Sequence, residues 1–392
     1  LYTRIKVTAG MRLLQDLAQV IGIALLAQGL ISFALPPVRV GRGIMLGGSL
    51  LALLLLLGWR LFYSAYVVGR MGGMRLLFVG ANPVILEMAG HILEHPELGL
   101  SIAGYVVDEP IALVGGEKLG AVNQVREVVT QVKPDRVVIG LTERRQKLPV
   151  QDLLELRFAG FHIEEAGTAY ENVCSRICTK ELRPSQLIFT ADMGPPPRDV
   201  LLQSVMNRSL SLVGVILTLP IMALVALLVK WTSPGPILYR QSRVGRDGAL
   251  FTVYKFRSMR NDAEAESGAV WAVKDDPRST PIGRWLRMLR LDELPQLFNV
   301  LRGNMSLVGP RPERPEFVKI LSEQIPYYRQ RLCVRPGITG WAQINHKYGN
   351  SVEDTIIKLE YDLYYIKHIS PSLDAYIIFH TLKTILLSRG AQ

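Results

Sequence analysis

Three stretches of this chain are too long and too apolar to be surface helices or ordinary strands. Leu210–Val229 is almost wholly hydrophobic, Ile44–Val68 carries the run Leu50–Leu57, and Met11–Leu35 is broken by Arg12, Gln15, Asp16, Gln19 and Gln28. A helix crosses a bilayer with roughly twenty apolar residues, and each stretch is long enough. The two nearest the N-terminus, about 11–35 and 44–68, are expected to be transmembrane helices joined by the short Pro36–Gly43 connection. A buried hairpin of a soluble protein is the competing reading. A cleaved signal peptide fits poorly, because the stretch is long and a second follows it. Arg4, Lys6 and Arg12 before the pair and Arg60, Arg70 and Arg75 after it, against Arg39 and Arg42 between, favour both outer ends in the cytoplasm.

The stretch Leu210–Val229 carries Pro220 near its middle. A proline inside a helix removes a hydrogen bond and clashes with the preceding turn, so a kink is expected there. Arg208 and Lys230 at its two ends prefer the same headgroup layer. A helix over about 205–230 that enters, bends at Pro220 and leaves on the same face satisfies both demands. A kinked spanning helix is the alternative.

Between the membrane segments, Met74 to about Asp192 changes character. Strands are expected at Arg75–Val79, Ile102–Val107 and Arg136–Gly140, and extended chain at Phe161–Glu164. Helices are expected around Ile85–Leu93, Val122–Val132 and Leu148–Ala159. That alternation implies a parallel sheet of Rossmann type. Only Gly80 occupies a position of the G-x-G-x-x-G fingerprint, so close backbone approach to a pyrophosphate is not provided for. A structural or regulatory domain is the better reading. The stiff Gly194–Arg198 linker, with three prolines, sets the expected boundaries: 1–70 membrane helices, 71–193 the Rossmann-like domain, 194–392 a second α/β domain.

The whole chain of 392 residues is 49% hydrophobic and carries a net charge of +11. With those apolar segments, the charge points to an anionic membrane surface or phosphorylated substrates and not to nucleic acid. Three cysteines, Cys174, Cys178 and Cys333, form no disulfide framework and no zinc quartet.

Chemistry concentrates in Arg284–Pro315. Asp292 and Glu293 stand between an arginine-rich segment with Arg287 and Arg290 and a proline-stiffened loop with Arg311 and Arg314. Pro295 suits the first turn of a helix, which makes Asp292 its expected N-cap, with Leu297, Phe298 and Leu301 on one face. Adjacent carboxylates can divide the labour in phosphoryl transfer. One attacks phosphorus, and the other holds Mg²⁺, which needs one or two carboxylates plus substrate phosphates. Arginines supply bidentate donors for the developing phosphate charge.

The run Leu291–Glu313 closely resembles the bacterial sugar transferases, the monotopic-type phosphoglycosyl transferases. So do Ser233–Arg246, Phe251–Arg260 and Arg335–Asn345, four motifs in family order over roughly the C-terminal half. The resemblance implies a membrane α/β protein: N-terminal transmembrane helices, a Rossmann-like domain, then a re-entrant helix with a small mixed α/β catalytic domain on the cytoplasmic face of the bacterial inner membrane. It implies transfer of a sugar 1-phosphate from a UDP-sugar to polyprenyl (undecaprenyl) phosphate, releasing UMP and starting exopolysaccharide or O-antigen-type assembly. Asp292 would be the nucleophile and Glu293 the metal ligand, with Asp292 close to the same Mg²⁺. Lys255, Arg257, Arg287, Arg290, Arg311, Arg335 and Gln343 would bind substrate. Family members often carry Ser-Pro at the membrane break, where this chain has Thr218-Leu219-Pro220.

Two rivals compete. A nucleotide-sugar epimerase or dehydratase needs an intact glycine fingerprint and usually Tyr-x-x-x-Lys, found only at Tyr2–Lys6. A non-catalytic membrane scaffold or regulator of polysaccharide export leaves the carboxylate–arginine constellation unexplained. A homodimer is the default assembly, in contact with membrane lipids.

Overall fold

The computed structural model describes the chain outside residues 1–20, scattered positions between 23 and 39, and 63–72, 109–111, 142–147, 181–196, 261–262, 264–275, 347–350 and 387–392. The start of the first expected span (11–20), the end of the second (63–68) and most of the Gly194–Arg198 linker lie outside the described residues. The described positions between 21 and 33 are helical. Helix α1 (Arg42–Phe62) matches the second span, with Leu50, Leu51, Leu54 and Leu55 exposed along it.

The chain divides into two compact units between Cys174 and Ser175, upstream of the proline-rich linker expected as the boundary. The physical reason is a docked segment. The Ile177 N–H donates to the Glu360 carbonyl, Trp341 Nε1 donates to the Ser175 carbonyl, and Thr179 donates to the Glu360 carboxylate. Residues 175–179 therefore belong to the second unit.

The first unit holds a five-stranded sheet, parallel throughout, in the order β3–β2–β1–β4–β5. Its strands are β1 (Met74–Val79), β2 (Leu100–Val106), β3 (Lys118–Gly120), β4 (Arg136–Ile139) and β5 (Ile163–Glu165). Around it are α2 (Pro83–Glu94), α3 (Val125–Val132), α4 (Val150–Phe158) and α5 (Ala166–Cys174). The expected strands and helices are all found, and the strand order is that of a Rossmann-type sheet. The edge strand β3 is additional; three residues with one leucine give no alternation to read.

At the end of central strand β1, Gly80 adopts φ 93°, and a Cβ there would collide with the Gly140 carbonyl. The glycine thus serves a close crossing of two strand ends. Asn82 stands where a fingerprint has its second glycine, and its Oδ1 caps α2 by accepting from the Ile85 N–H.

The second unit opens with α6 (Pro197–Thr232), 36 residues in one helix, and Pro220 lies inside it without interrupting it. An antiparallel hairpin follows, β6 (Leu238–Val244) and β7 (Leu250–Phe256). Then come α7 (Pro281–Met288), α8 (Gln296–Leu301) and β8 (Ser306–Val308), followed by α9 (Pro315–Gln324). Strand β9 (Gly337–Thr339) pairs in parallel with β8. Helices α10 (Trp341–Asn345), α11 (Val352–Lys367) and α12 (Pro371–Leu386) complete the unit. Its main core joins Val308, Leu321 and Tyr328 to Leu359, Leu363 and Ile377.

Helix α12 packs on the domain, with Ile377 and Asp374 fully buried. Polar side chains fasten the first half of α6 to this core. Gln203 Nε2 donates to Tyr365 Oη at 2.6 Å and to Asp374 Oδ2 at 2.9 Å, and Asn207 Nδ2 donates to Ser306 Oγ at 2.6 Å.

Candidate active site

The acid pair is placed by the turn that ends α7. Thr280 caps α7, accepting from the Gly283 N–H, and Gly283 packs against the Ser258 carbonyl so closely that a Cβ could not fit. The chain leaves α7 through Arg290 in the left-handed region, φ 53°. It then forms a single 3₁₀ turn, Leu291–Glu293. Asp292 is thus inside this turn and does not cap the next helix. Helix α8 begins only at Gln296, because the left-handed Arg290 starts a separate turn ahead of Pro295.

The face of α8 also differs from expectation. Gln296, Asn299 and Val300 are buried, while Phe298 is exposed. Asn299 is the reason: its Oδ1 accepts from the Tyr254 N–H at 3.2 Å and its Nδ2 donates to the Thr252 carbonyl at 2.7 Å. Those bonds clamp α8 to β7, the strand that carries Lys255. Asn299→Ala should cost about 1–2 kcal/mol, since it removes two partly buried hydrogen bonds. Thermal melting of the detergent-purified protein measures this.

Asp292 and Glu293 are 7% and 9% exposed. Lys255 Nζ lies 2.8 Å from Glu293 Oε1, and Arg311 Nη2 lies 2.7 Å from the same oxygen. Two cations from different segments thus converge on one carboxylate oxygen. Burial by itself would raise the proton affinity of Glu293, but Arg311 and Lys255 outweigh it and hold the carboxyl well below the usual range. Asp292 goes the other way. Burial pushes it up to about 6, opposed by Lys255 and helped by the neighbouring Glu293 charge. Two adjacent carboxylates with proton affinities driven apart mark a reactive site.

The Arg311 loop is held from behind. Arg331, itself buried, donates to the Arg311 carbonyl at 3.0 Å and pairs with Asp362 at 2.8 Å. Arg243 donates to the Pro312 carbonyl at 2.9 Å. Arg243 and Asn299 fall within the Ser233–Arg246 and Leu291–Glu313 motifs, but these supporting roles, and that of Arg331, carry no signal in the residue order.

The remaining candidates divide. Arg287 contributes to the field at Asp292 and donates to Ser279 Oγ. Arg290 forms the left-handed entry to the acid turn. Arg257 is engaged at the end of α6: its buried guanidinium donates to the carbonyls of Ser233 and Pro234 and to Ser233 Oγ, so it fastens the chain leaving that helix. Gln343 turns back on its own loop, donating to the Ile338 carbonyl at 3.4 Å. Arg335 lies at a cavity beside α6, where it donates to Ser204 Oγ.

Among the described residues no group of three or more His, Cys, Asp or Glu side chains could hold a metal. Mg²⁺ characteristically takes only one or two carboxylates and completes its shell with water and substrate phosphates. Asp292 and Glu293 fit that role in company with a bound diphosphate.

A buried carboxylate pair faced by lysine and arginine, in a unit that opens with a long apolar helix, is an arrangement suited to meeting a phosphate group. Residues 198–388 match the family model described as bacterial sugar transferase. The chain is 45% identical over 323 residues to an undecaprenyl-phosphate glucose phosphotransferase of Komagataeibacter xylinus, covering 81% of this chain and 60% of that protein. It is 42% identical over 232 residues to the UDP-N-acetylgalactosamine-undecaprenyl-phosphate N-acetylgalactosaminephosphotransferase of Aeromonas hydrophila (59% and 53%). A third relative, a UDP-glucose:undecaprenyl-phosphate glucose-1-phosphate transferase of Klebsiella pneumoniae, is 33% identical over 327 residues (81% and 69%). The chain belongs to the bacterial sugar transferase family. It spans between about half and two thirds of the length of these curated relatives.

Proposed function

We propose that this protein moves a sugar 1-phosphate from a UDP-sugar to polyprenyl phosphate on the cytoplasmic face of the membrane, through a covalent intermediate on Asp292. The observation that carries the reading is the buried Asp292 beside a Glu293 that gathers Lys255 and Arg311. A carboxylate oxygen of Asp292 attacks the sugar-linked phosphorus. The new O–P bond forms as the bond to the bridging oxygen breaks, and that oxygen leaves on UMP. In the second half, an oxygen of polyprenyl phosphate attacks the same phosphorus, releasing the Asp292 carboxylate and leaving a polyprenyl diphosphate sugar. Lys255 and Arg311 neutralise charge on the transferred phosphoryl group. Mg²⁺, held by Glu293 and Asp292 with the donor phosphates, would supply further neutralisation.

The membrane placement rests on α6. As a straight rod its 36 residues would reach about 54 Å, well beyond the roughly 30 Å hydrocarbon core. Yet Asn207 and Ser211 near one end, and Met222, Val225 and Val229 near the other, are all buried within the second unit. The other faces expose Leu212, Ile216, Leu217, Leu224 and Leu227. A helix that meets one domain along its length while presenting leucines outward is suited to dip into one leaflet and return, flexing at Pro220 without a break. Exposed Trp285, Met288, Leu289 and Phe298 flank the acid pair in sequence, as a site apposed to lipid requires.

The test is donor-only chemistry. UDP-sugar with Mg²⁺ and no lipid should yield UMP up to one equivalent of enzyme, with further release only on adding polyprenyl phosphate. No UMP without lipid would replace the covalent intermediate by direct ternary transfer.

A further inference from the structure

A cavity of about 80 Å³ opens between the first half of α6 and the chain that leads into β9. It shares no lining residue with the group formed by Asp292, Glu293, Lys255 and Arg311. Three arginines face it from separate parts of the fold: Arg208 on α6, Arg246 in the β6–β7 turn, and Arg335 ahead of β9. No aspartate or glutamate is among its lining residues. Arg246 pairs with the exposed Asp247 at 3.2 Å, and Arg335 donates to Ser204 Oγ at 3.0 Å. The Arg208 guanidinium lies over Gly303, where φ is 83° and a Cβ would stand 3.0 Å from Nη2.

Like charges gathered at a partly buried site repel unless an anion is shared between them. Burial, and then Arg246 and Arg208, lower the proton affinity of Arg335. On the same helix the exposed Leu201, Leu202 and Val205 lie alongside Ser204 and Arg208, so apolar surface adjoins the cationic cavity. We infer that the Arg208–Arg246–Arg335 cavity binds the phosphate of an anionic bilayer phospholipid, whose acyl chains lie against the leucines of α6. Arginine forks match a phosphate's oxygens, and the leucines give the chains an apolar track that a free phosphate would not use. The inference rests on the membrane placement of α6 proposed above and is independent of the chemistry at Asp292.

Native mass spectrometry of the full detergent-purified chain, titrated with phosphatidylglycerol, reads the site directly. Wild-type protein should retain one such lipid. Arg208→Gln with Arg246→Gln should weaken retention about ten-fold or more, the scale of one lost charge-assisted contact. Arg246→Lys, which keeps the charge on an exposed side chain, should restore most of the binding when Arg208 is intact, and an unshifted melting temperature would show the double variant folded. Equal retention by wild type and double variant overturns the inference. So does inorganic phosphate binding in place of the lipid, or displacement of phosphatidylglycerol by polyprenyl phosphate, which would make the cavity part of the acceptor site. Donor-only UMP release, measured in the same preparations, tests the proposed function separately. Its absence alongside arginine-dependent lipid binding would remove the mechanism and leave this site standing.

Discussion

Asp292→Asn is expected to abolish UMP release from the donor while making the protein melt at a higher temperature. Asparagine keeps the shape of the side chain but offers no carboxylate to attack phosphorus. Turnover should therefore fall on the order of 10⁴-fold or more, as for other removed nucleophiles. The gain in stability follows from the proton affinity of Asp292. Burial lifts it from 3.8 to about 6 in the folded chain. The unfolded chain therefore gives up this proton at lower pH than the folded one, and stability is lost as pH rises from about 4 to about 6. At pH 7.5 the wild type bears the whole of that penalty, on the order of 1–3 kcal/mol, and a neutral asparagine does not. Melting curves at pH 7.5 should place the variant a few degrees above wild type. The difference should shrink as the buffer is taken down towards pH 4. A variant that melts lower at pH 7.5, or still releases a full equivalent of UMP, would remove Asp292 from the role of a buried, strained nucleophile.

That strain is invisible in the residue order, and the line between what could and could not be read runs through particular elements. The α/β unit is legible because β1, β2 and β4 are short apolar runs alternating with helices of 3.6-residue period. Its edge strand β3, with one leucine in three residues, carries no such signal. Asp292 and Glu293 are legible because neighbouring motifs frame them, but their local structure is not. The N-cap expected from Pro295 is undone by Arg290, whose left-handed backbone no propensity rule would assign to an arginine. Lys255 and Arg257 look equivalent in K-F-R. Only the path of the chain beyond Phe256 sends one to Glu293 and buries the other among the carbonyls at the end of α6. The domain boundary is hidden for a related reason: residues 175–179 dock through Ile177 in the second unit's core, the Arg176–Glu360 ion pair and backbone hydrogen bonds, to partners that only the fold brings near.

Glu293→Gln separates the two duties of that residue, with effects of opposite sign. In the wild type, Oε1 accepts from both Lys255 and Arg311. Glutamine retains one oxygen acceptor there, so the fold should persist, but the charge that draws both cations inward is gone. Lys255 and Arg311 are then held less firmly where the transferred phosphoryl group must be met. The donor-dependent rate should fall on the order of a hundred-fold, the scale of one lost preorganised contact. A carboxylate able to share a metal with the donor phosphates is lost as well, so more Mg²⁺ should be needed for half-maximal rate. Asp292 responds in the other direction. Burial is the main cause of its raised proton affinity, and the Glu293 charge adds to it. Neutralising Glu293 should therefore bring the ionisation of Asp292 below about 6 and extend the remaining activity to more acid buffers. The measurement is the pH dependence of kcat/KM for the UDP-sugar, whose acid limb reports the free enzyme. A slower enzyme with its acid limb displaced downward is expected. Superimposable acid limbs would mean that Asp292 does not feel its neighbour, and that the two carboxylates do not work as the coupled pair on which the division between nucleophile and charge organiser depends.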